Sequence, residues 1–295
     1  MTFGEKLKSI RKQAGMSQEK LAEKLGVSRQ AVTKWETDAG IPDIENIMAI
    51  SALFHISIDE LLSNRVAKSS QPDYLYESVT EYDVDRPKNY DINLGSAHEV
   101  FLSGCEGEKI YVRLASNILP TLEQDFKVRI DDNRNSMDVD ISRSSTVTEA
   151  SAKESLVIFL QIPRQYLKKM ELAVNGERVE VRNLECEELE LDLKVRRLEL
   201  RDVAGPVEID CNLDMDIRCH SLNGEISVNQ ISASSRMGVP AGIDFGAVCK
   251  GIGTHIFYER DGKQVESFSN PEAEQVIELN GIKSELVIYP LEQGR

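Results

Sequence analysis

Apolar residues follow a helical period over residues 2–62 and a period of two from about residue 91. In the first of these regions, apolar side chains recur every three or four positions, as in Leu21, Ala22 and Leu25. From about residue 91 they alternate with polar residues, which is the pattern of strands that bury one face. The chain is therefore predicted to contain a helical N-terminal domain followed by a β-rich region.

Residues 2–62 carry start and stop signals for five short helices. The signals are Gly15 and Gly26 as helix ends, Ser17, Ser28 and Pro42-Asp43 as helix starts, and the capping box Ser57-Ile58-Asp59-Glu60. They predict a second helix over 18–25, a third running from the Ser28 cap to about Glu36, and a short fifth helix ending at Leu62. Five helices in about 62 residues form a compact bundle.

Short apolar runs separated by turn residues predict strands in the remainder. Glu106-Gly107 separates two such runs, and Asp132 to Asn135 separates the next two, so each is a hairpin signal. The segment 156–162 predicts a buried strand, and 275–279 with 285–289 predict two terminal strands that close the domain.

A quasi-repeat follows, in which an acidic residue stands between two apolar ones. The repeats are Val179-Glu180-Val181, Leu189-Glu190-Leu191, Leu198-Glu199-Leu200, Val207-Glu208-Ile209 and Met215-Asp216-Ile217. A related segment, Glu225-Ile226-Ser227-Val228, has the acid before the apolar pair and a serine within it. Each strand can turn its apolar pair inward and its carboxylate to solvent. The regular spacing of eight to ten residues predicts stacked strands, in a β-solenoid or an elongated sandwich.

These patterns predict a helical domain over 1–64, a polar linker over 65–90 and a β-rich domain over 91–295.

The chain carries a formal net charge of −15, and the two parts carry it unequally. Residues 1–65 hold nine Lys or Arg and nine Asp or Glu, so the remainder holds all of the excess. Only the neutral N-terminal part can approach phosphates without repulsion.

Other classes of protein are disfavoured by motifs that the sequence lacks. It has no apolar run long enough to span a membrane and no signal-peptide pattern, so a cytoplasmic location is expected. Five cysteines without CxxC spacing argue against a disulfide framework or a zinc ribbon. Cys211, Cys219 and His220 could donate metal ligands, but buried structural cysteines are the more common case. No catalytic constellation stands out, so we expect no enzyme activity, cofactor or metal.

The segment MSQEKLAEKLGVSRQAVTKWE places two helices on either side of a tight glycine turn, with polar residues at the start of the second. A DNA major groove admits one helix, whose N-terminal side chains meet base edges. Over residues 3–62 the sequence resembles the lambda-repressor-like, or XRE-type, helix-turn-helix family of bacterial transcriptional regulators. The matching positions are Ser17-Gln18, Leu21-Ala22, Leu25-Gly26-Val27-Ser28, Val32, Lys34-Trp35-Glu36, Pro42-Asp43 and Ile58-Asp59-Glu60-Leu61.

The resemblance implies a role for each matching position. The DNA-binding residues that it implies are Gln18, Ser28, Arg29, Gln30, Thr33, Lys34 and Arg11. Arg29 and Gln30 correspond to base readers, since Arg favours guanine and Gln favours adenine. Gln18 corresponds to a phosphate anchor, and Arg11 with Glu36 to a paired Arg–Glu that is structural as well as phosphate-binding. Two positions depart from the family's pattern. Asp38 stands where the family often has glycine, and Lys20 replaces an acid and thereby weakens the capping box of the second helix.

The stretch LKVRRLELRDVAGPVEIDCNLDMDIRCHSLNGEISV resembles the adhesin-like β domain of unknown function (DUF4097-type), which would cover residues 90–290. This resemblance implies a fold and no chemistry. The fold class expected for the whole chain is multidomain α and β, with a five-helix helix-turn-helix bundle followed by an all-β solenoid-like or sandwich domain.

These observations predict a sequence-specific transcriptional regulator that binds a double-stranded DNA operator as a homodimer. Its β domain is expected to oligomerise or to bind an unidentified effector or protein partner. Three alternatives stay open at this point. The chain could be an antitoxin-like DNA-binding protein whose β domain holds a partner protein, an enzyme with a DNA-targeting module, or a helical bundle that binds protein in place of DNA.

Overall fold

A computed structural model describes residues 3–13, 16–37, 39–54 and 74–291. The chain divides into two compact units, Met1–Asp73 and Tyr74–Arg295. Among the described residues, no helix combines the length and the apolar character that a bilayer crossing needs. Within the same ranges, His, Cys, Asp and Glu side chains form no group of three that could hold a metal ion.

The first unit contains four helices within its described residues, and they follow the predicted pattern. They are α1 (Phe3–Gln13), α2 (Gln18–Leu25), α3 (Arg29–Glu36) and α4 (Ile44–Phe54). Their core is formed by the side chains that the helical period placed on one face, namely Leu7, Leu21, Ala22, Val32, Trp35, Ile47 and Ile50. The predicted Gly15 cap, Asp38 and the fifth helix at 57–62 lie outside the described residues.

The second unit is built from strands and two short helices. In chain order these are β1 (Tyr76–Asp83), β2 (Lys88–Cys105), β3 (Lys109–Ser116), α5 (Leu122–Asp125), β4 (Phe126–Asp132), β5 (Ser136–Arg143), α6 (Glu149–Ser155), β6 (Val157–Pro163), β7 (Leu167–Glu185), β8 (Glu188–Lys194), β9 (Arg197–Ala204), β10 (Val207–Asp210), β11 (Asp216–Cys219), β12 (Ile226–Ile231), β13 (Ser234–Pro240), β14 (Gly246–Ile252), β15 (His255–Arg260), β16 (Lys263–Val265), β17 (Val276–Ile282) and β18 (Glu285–Leu291).

Most of these strands stack in parallel, two to a coil. The first ladder runs β5, β2, β7, β8, β10, β12, β17, β14. The second runs β6, β2, β7, β9, β11, β13, β18, β15. The long strands β2 and β7 pass through both ladders. Each pair of strands is one coil of a solenoid, which is one of the two architectures that the repeat predicted.

Alternation along each strand separates the core from the surface. In the first ladder one row of residues in register points inward, and each member is fully buried: Ile92, Leu172, Leu191, Ile209, Val228 and Leu279. The adjacent row points outward and is acidic in most coils: Asp138, Asp91, Glu171, Glu190, Glu208, Ser227 and Glu278. Burial of one Leu or Ile side chain contributes about 1.5–3 kcal/mol, so the inward rows hold the coils together.

Three sequence expectations about the β unit are wrong in detail: the extent of the linker, the first of the two hairpins and the position of the last two strands. Part of the predicted linker over 65–90 is strand, because β1 occupies Tyr76–Asp83 and pairs antiparallel with β3. The turn at Glu106-Gly107 joins β2 to β3, but these strands do not form a hairpin because β6 lies between them. The hairpin signal at Asp132 to Asn135 is confirmed, since β4 and β5 pair antiparallel.

The third correction concerns the last two strands. β17 and β18 do not close the stack in space, because they insert between the β12–β13 coil and the β14–β15 coil. The end coil is therefore formed by strands that precede them in the sequence.

The inward row predicts a position-specific effect on stability. Leu191→Ala is expected to lower the free energy of unfolding by about 2–5 kcal/mol, because it leaves a cavity among stacked side chains. The adjacent outward substitution Glu190→Ala is the control and should change it by less than about 0.5 kcal/mol. Urea unfolding followed by far-ultraviolet circular dichroism measures both, and equal effects would contradict the assigned faces.

Candidate nucleic-acid interface

The turn between α2 and α3 is fixed by local hydrogen bonds. The Ser17 hydroxyl accepts from the Lys20 amide at 3.1 Å and caps the start of α2. Gly26 ends α2 with φ of 68°, a left-handed conformation in which a side chain would be strained. The amide of Val27 then donates to the Ala22 carbonyl at 3.0 Å. The chain therefore reverses direction within three residues, as the glycine predicted.

Helix α3 has one buried and one exposed face. Ser28 caps it by accepting from the Ala31 amide at 3.2 Å. Val32 and Trp35 are buried in the core of the unit. The predicted readers lie on the opposite side, where the side chains of Arg29, Gln30, Thr33 and Lys34 are exposed together with the cap residue Ser28. The structure thus brings five of the seven predicted residues to one polar surface.

A buried ion pair joins α1 to the end of α3. Arg11 Nε donates to Glu36 Oε1 at 2.5 Å, and Arg11 Nη2 donates to Glu36 Oε2 at 3.0 Å. Arg11 Nη1 donates to the Met16 carbonyl at 2.7 Å, just before α2. Both residues are almost fully buried, with 8% and 5% of their surfaces exposed. The Arg–Glu pair implied by the family resemblance is present, and Arg11 is the one predicted DNA-binding residue that the structure buries.

Neighbouring side chains keep the Glu36 carboxyl group ionised. Burial alone would raise the pKa of this carboxyl, but hydrogen bonds from Arg11 and Gln18 outweigh burial and lower the pKa. The same Glu36 contact raises the pKa of Arg11. Both groups therefore stay ionised in the folded protein at neutral pH.

Gln18 links this buried pair to the polar surface. Its Nε2 donates to Glu36 Oε2 at 2.9 Å, and its Oε1 accepts from the Thr33 hydroxyl at 3.3 Å. A side-chain amide has two N–H groups, so the contact with Glu36 leaves one for another acceptor. Gln18 at the start of α2 and Thr33 in the middle of α3 are therefore held next to each other.

Arg29 has a surface partner that the sequence reasoning did not single out. Arg29 Nη1 lies 3.0 Å from Glu19 Oε1, and the two side chains are 63% and 71% exposed. Such exposed pairs contribute about 0–1 kcal/mol, so another anion can displace Glu19 at little cost. The sequence indication for this ion pair is that Glu19, an acidic residue, stands next to Gln18 in the first turn of α2.

The comparison with known sequences concerns this unit. The family described as Helix-turn-helix matches residues 7–61. The HTH-type transcriptional activator BcrR of Enterococcus faecalis is 49% identical over 63 residues, which are 21% of this chain and 31% of the relative. The SPbeta prophage-derived HTH-type transcriptional regulator YonR of Bacillus subtilis is 33% identical over 78 residues, which are 26% of this chain and 72% of the relative.

The chain belongs to the helix-turn-helix transcriptional regulators. The chain spans about a third of the length of BcrR. The β unit of the regulator is similar to the solved structure of a candidate cell adhesion protein from Clostridium sporogenes. That match has 12% identity and a TM-score of 0.36, and it covers 73% of this chain and 100% of the other.

The buried pair predicts a large effect from a small substitution. Glu36→Gln keeps the shape of the side chain but leaves Arg11 buried without its counter-charge, and should lower the free energy of unfolding of the first unit by about 3 kcal/mol. Trp35 is the one tryptophan in the chain and is buried in this unit, so its fluorescence reports the transition. The control is Glu19→Gln, which removes a carboxylate from the exposed pair and should cost less than about 1 kcal/mol. Comparable losses from the two variants would contradict the assigned role of Glu36.

The lowered pKa of Glu36 also predicts how that loss depends on pH. A carboxyl whose pKa is lower in the folded state contributes stability above its unfolded pKa, about 4.3, and loses it as the pH falls through the folded pKa. The difference in unfolding free energy between the wild type and Glu36→Gln should therefore narrow on acidification from neutral pH. Trp35 fluorescence in urea, repeated across an acid series, measures it; a constant difference would contradict this ionisation.

Proposed function

We propose that the protein is a sequence-specific DNA-binding transcriptional regulator that reads the major groove with α3. The observation that carries the proposal is the exposed polar face of α3, held against α1 and α2 by the buried pair Arg11–Glu36 and by the half-buried Gln18. A reading helix must be positioned within a fraction of a hydrogen-bond length, and these contacts fix the C-terminal end of α3 at Glu36 and its middle at Thr33. The nearly neutral charge of residues 1–65 allows this unit to approach phosphates despite the acidic remainder.

The exposed residues divide into base readers and phosphate contacts. Arg29 and Gln30 lie in the first turn of α3, where they meet base edges, with guanine and adenine as their preferred bidentate partners. Lys34 and Thr33 lie one turn later and contact the backbone or a further base. Gln18 offers its second amide N–H to a phosphate while the first stays bonded to Glu36. Ser28 caps the helix and lies close enough to the surface to approach a phosphate.

Arg11 acts differently in this proposal. Its guanidinium is occupied by Glu36 and Met16, so its contribution to DNA binding is to position α3 and the start of α2. The exposed ion pair of Arg29 with Glu19 opens when Arg29 turns to a guanine, because a bidentate contact with the base replaces it.

The functional assembly is a homodimer on a two-fold symmetric operator, and its site of action is the cytoplasm of a bacterial cell. One recognition helix contacts only a few base pairs, so two copies are needed for a specific site. Their helices then enter successive major grooves, about 34 Å apart. The β unit provides oligomerisation or effector sensing in this arrangement.

In vitro selection of DNA by the full-length protein tests the proposal, beside an Arg29→Ala/Gln30→Ala control. The wild type should enrich a two-fold symmetric sequence that the control does not enrich. If both proteins enrich the same sequence, or neither enriches any, α3 does not read DNA in the way proposed.

Single substitutions should separate base reading from phosphate binding. Arg29→Ala is expected to cost about 1–3 kcal/mol on the selected operator and to relax the preference at one base pair of each half-site. Lys34→Ala, as a phosphate contact, should weaken binding to all sequences alike and reduce the salt dependence of the affinity. Fluorescence anisotropy titrations on the operator and its point variants, at two salt concentrations, give both quantities. Unchanged base discrimination by Arg29→Ala would exclude it as a reader.

A further inference from the structure

The stack of coils ends at β14 and β15. Among the described strands β14 pairs only with β17, so its other edge carries backbone groups that no described strand binds. The neighbouring strand β15 is partly covered, because β16 folds back on it antiparallel. An edge strand of this kind is a template for pairing with another chain.

The buried row of the first ladder comes to the surface at this end. Cys249 is in register with Leu279, which is fully buried, yet Cys249 is exposed. Two of the outward residues on β14 are apolar as well, with Val248 39% and Ile252 77% exposed. Ile252 is in register with Ile282, which is 49% exposed, so the apolar surface continues onto the next coil.

The charge pattern also sets this end apart. The outward acidic row that includes Glu190 and Glu278 stops at β14, where Val248 occupies the same register position. The next outward residue of β14 is Lys250, whose ammonium lies 2.5 Å from Glu278. Two copies of a chain with a net charge of −15 repel each other across acidic surfaces, but at β14 no carboxylate stands on the edge strand.

The edges at the other end of the stack are charged. The strands there are β4, which pairs with β5, and β1, which pairs with β3. Both strands carry charged side chains, namely Lys127, Arg129, Asp131 and Asp132 on β4 and Glu77, Glu81 and Asp83 on β1. Charged residues on an edge strand discourage pairing with another copy. Apolar side chains are exposed at both ends, with Tyr76 37% and Val79 46% exposed on β1, so it is the absence of carboxylates that favours the β14 end.

We infer that a second copy of this chain docks here, with the two β14 strands pairing antiparallel about a two-fold axis. This inference rests on the dimer in the proposed function and assigns its interface. In one register, Cys249 lies opposite Cys249 of the other copy, and Val248 lies opposite Lys250 of the other copy. In this register the outward face of one sheet continues into the outward face of the other, and the inward face into the inward face. The two Lys250 side chains are then diagonal neighbours on one face of the junction, and each keeps the Glu278 counter-charge of its own copy.

The size of this end determines how strong the dimer is. Seven residues of strand extend about 23 Å, and two packed sheets are about 10 Å apart, so the end face is on the order of a few hundred Å². Stable protein interfaces bury about 800 Å² from each partner. The dimer is therefore weak and concentration-dependent when free, and DNA that binds both helix-turn-helix units strengthens it by mass action.

The chain contains its own chemical probe of this interface. Cys249 is exposed, whereas the other four cysteines, Cys105, Cys186, Cys211 and Cys219, are buried. A short bis-maleimide added to the full-length native protein should yield a covalent dimer that Cys249→Ser abolishes. The matched control carries Cys249→Ser together with Leu213→Cys, because Leu213 is 47% exposed on a coil farther from the end. That control should stay monomeric on a denaturing gel, and a wild type without cross-linked dimer would overturn the inference.

Sedimentation equilibrium without DNA provides the second test. Val248→Asp/Ile252→Asp places carboxylates on the β14 edge and should raise the dimer dissociation constant by about tenfold or more. Leu213→Asp, at a similarly exposed position, should leave it unchanged, and circular dichroism checks that both variants are folded. A dimer that the double variant does not weaken, or a wild type that is monomeric at every concentration, would overturn the inference.

Both experiments are done without DNA, so a result that overturns the β14 interface is distinct from a result that overturns the proposed function. The proposed function fails when Arg29→Ala/Gln30→Ala leaves DNA selection unchanged, whatever the oligomeric state of the protein.

Discussion

The buried pair of Arg11 and Glu36 is the contact on which the exposed polar face of α3, the proposed DNA-reading surface, depends. Removing two charges from water is costly, and their attraction repays this only when further hydrogen bonds satisfy the remaining groups. Here the Met16 carbonyl and the Gln18 amide supply those bonds, at 2.7 Å and 2.9 Å. The pair thus ties the end of α1, the start of α2 and the end of α3 to one another. Its main contribution is to fix the position of α3, since an apolar contact of similar volume could supply comparable stability without that geometry.

The β unit follows a different constraint, which is that one register repeats from coil to coil. Like residues stack on like, so apolar side chains form continuous inward rows and carboxylates form an outward row around Glu190. That arrangement raises the pKa of Glu190, through burial and then through the charges of Glu171 and Glu208. A stack of this kind has ends, and each end must be paired, covered or charged. Edges β1 and β4 carry carboxylates and β14 carries none, so β14 is the edge at which two acidic copies repel each other least.

The sequence predicted elements that are determined locally and missed those determined by distant contacts. Ser17, Gly26 and Ser28 mark the bounds of α2 and α3 because capping depends on residues only a few positions away. The repeated triplets such as Leu189-Glu190-Leu191 located strands correctly for the same reason. Which strands pair is not a local property, so neither the insertion of β17 and β18 nor the separation of β2 from β3 was predicted. At the site, the family resemblance implied the Arg11–Glu36 pair, but the exposed partner of Arg29 and the links made by Gln18 required the structure.

Guanine-N7 methylation protection on the selected operator is the decisive measurement of major-groove reading by α3, because N7 lies in the major groove. The full-length protein should protect guanines in two clusters about one helical turn apart, and Arg29→Ala should lose one protected guanine in each cluster. If no guanine is protected, or if Arg29→Ala leaves the protection unchanged, α3 does not read the major groove through Arg29.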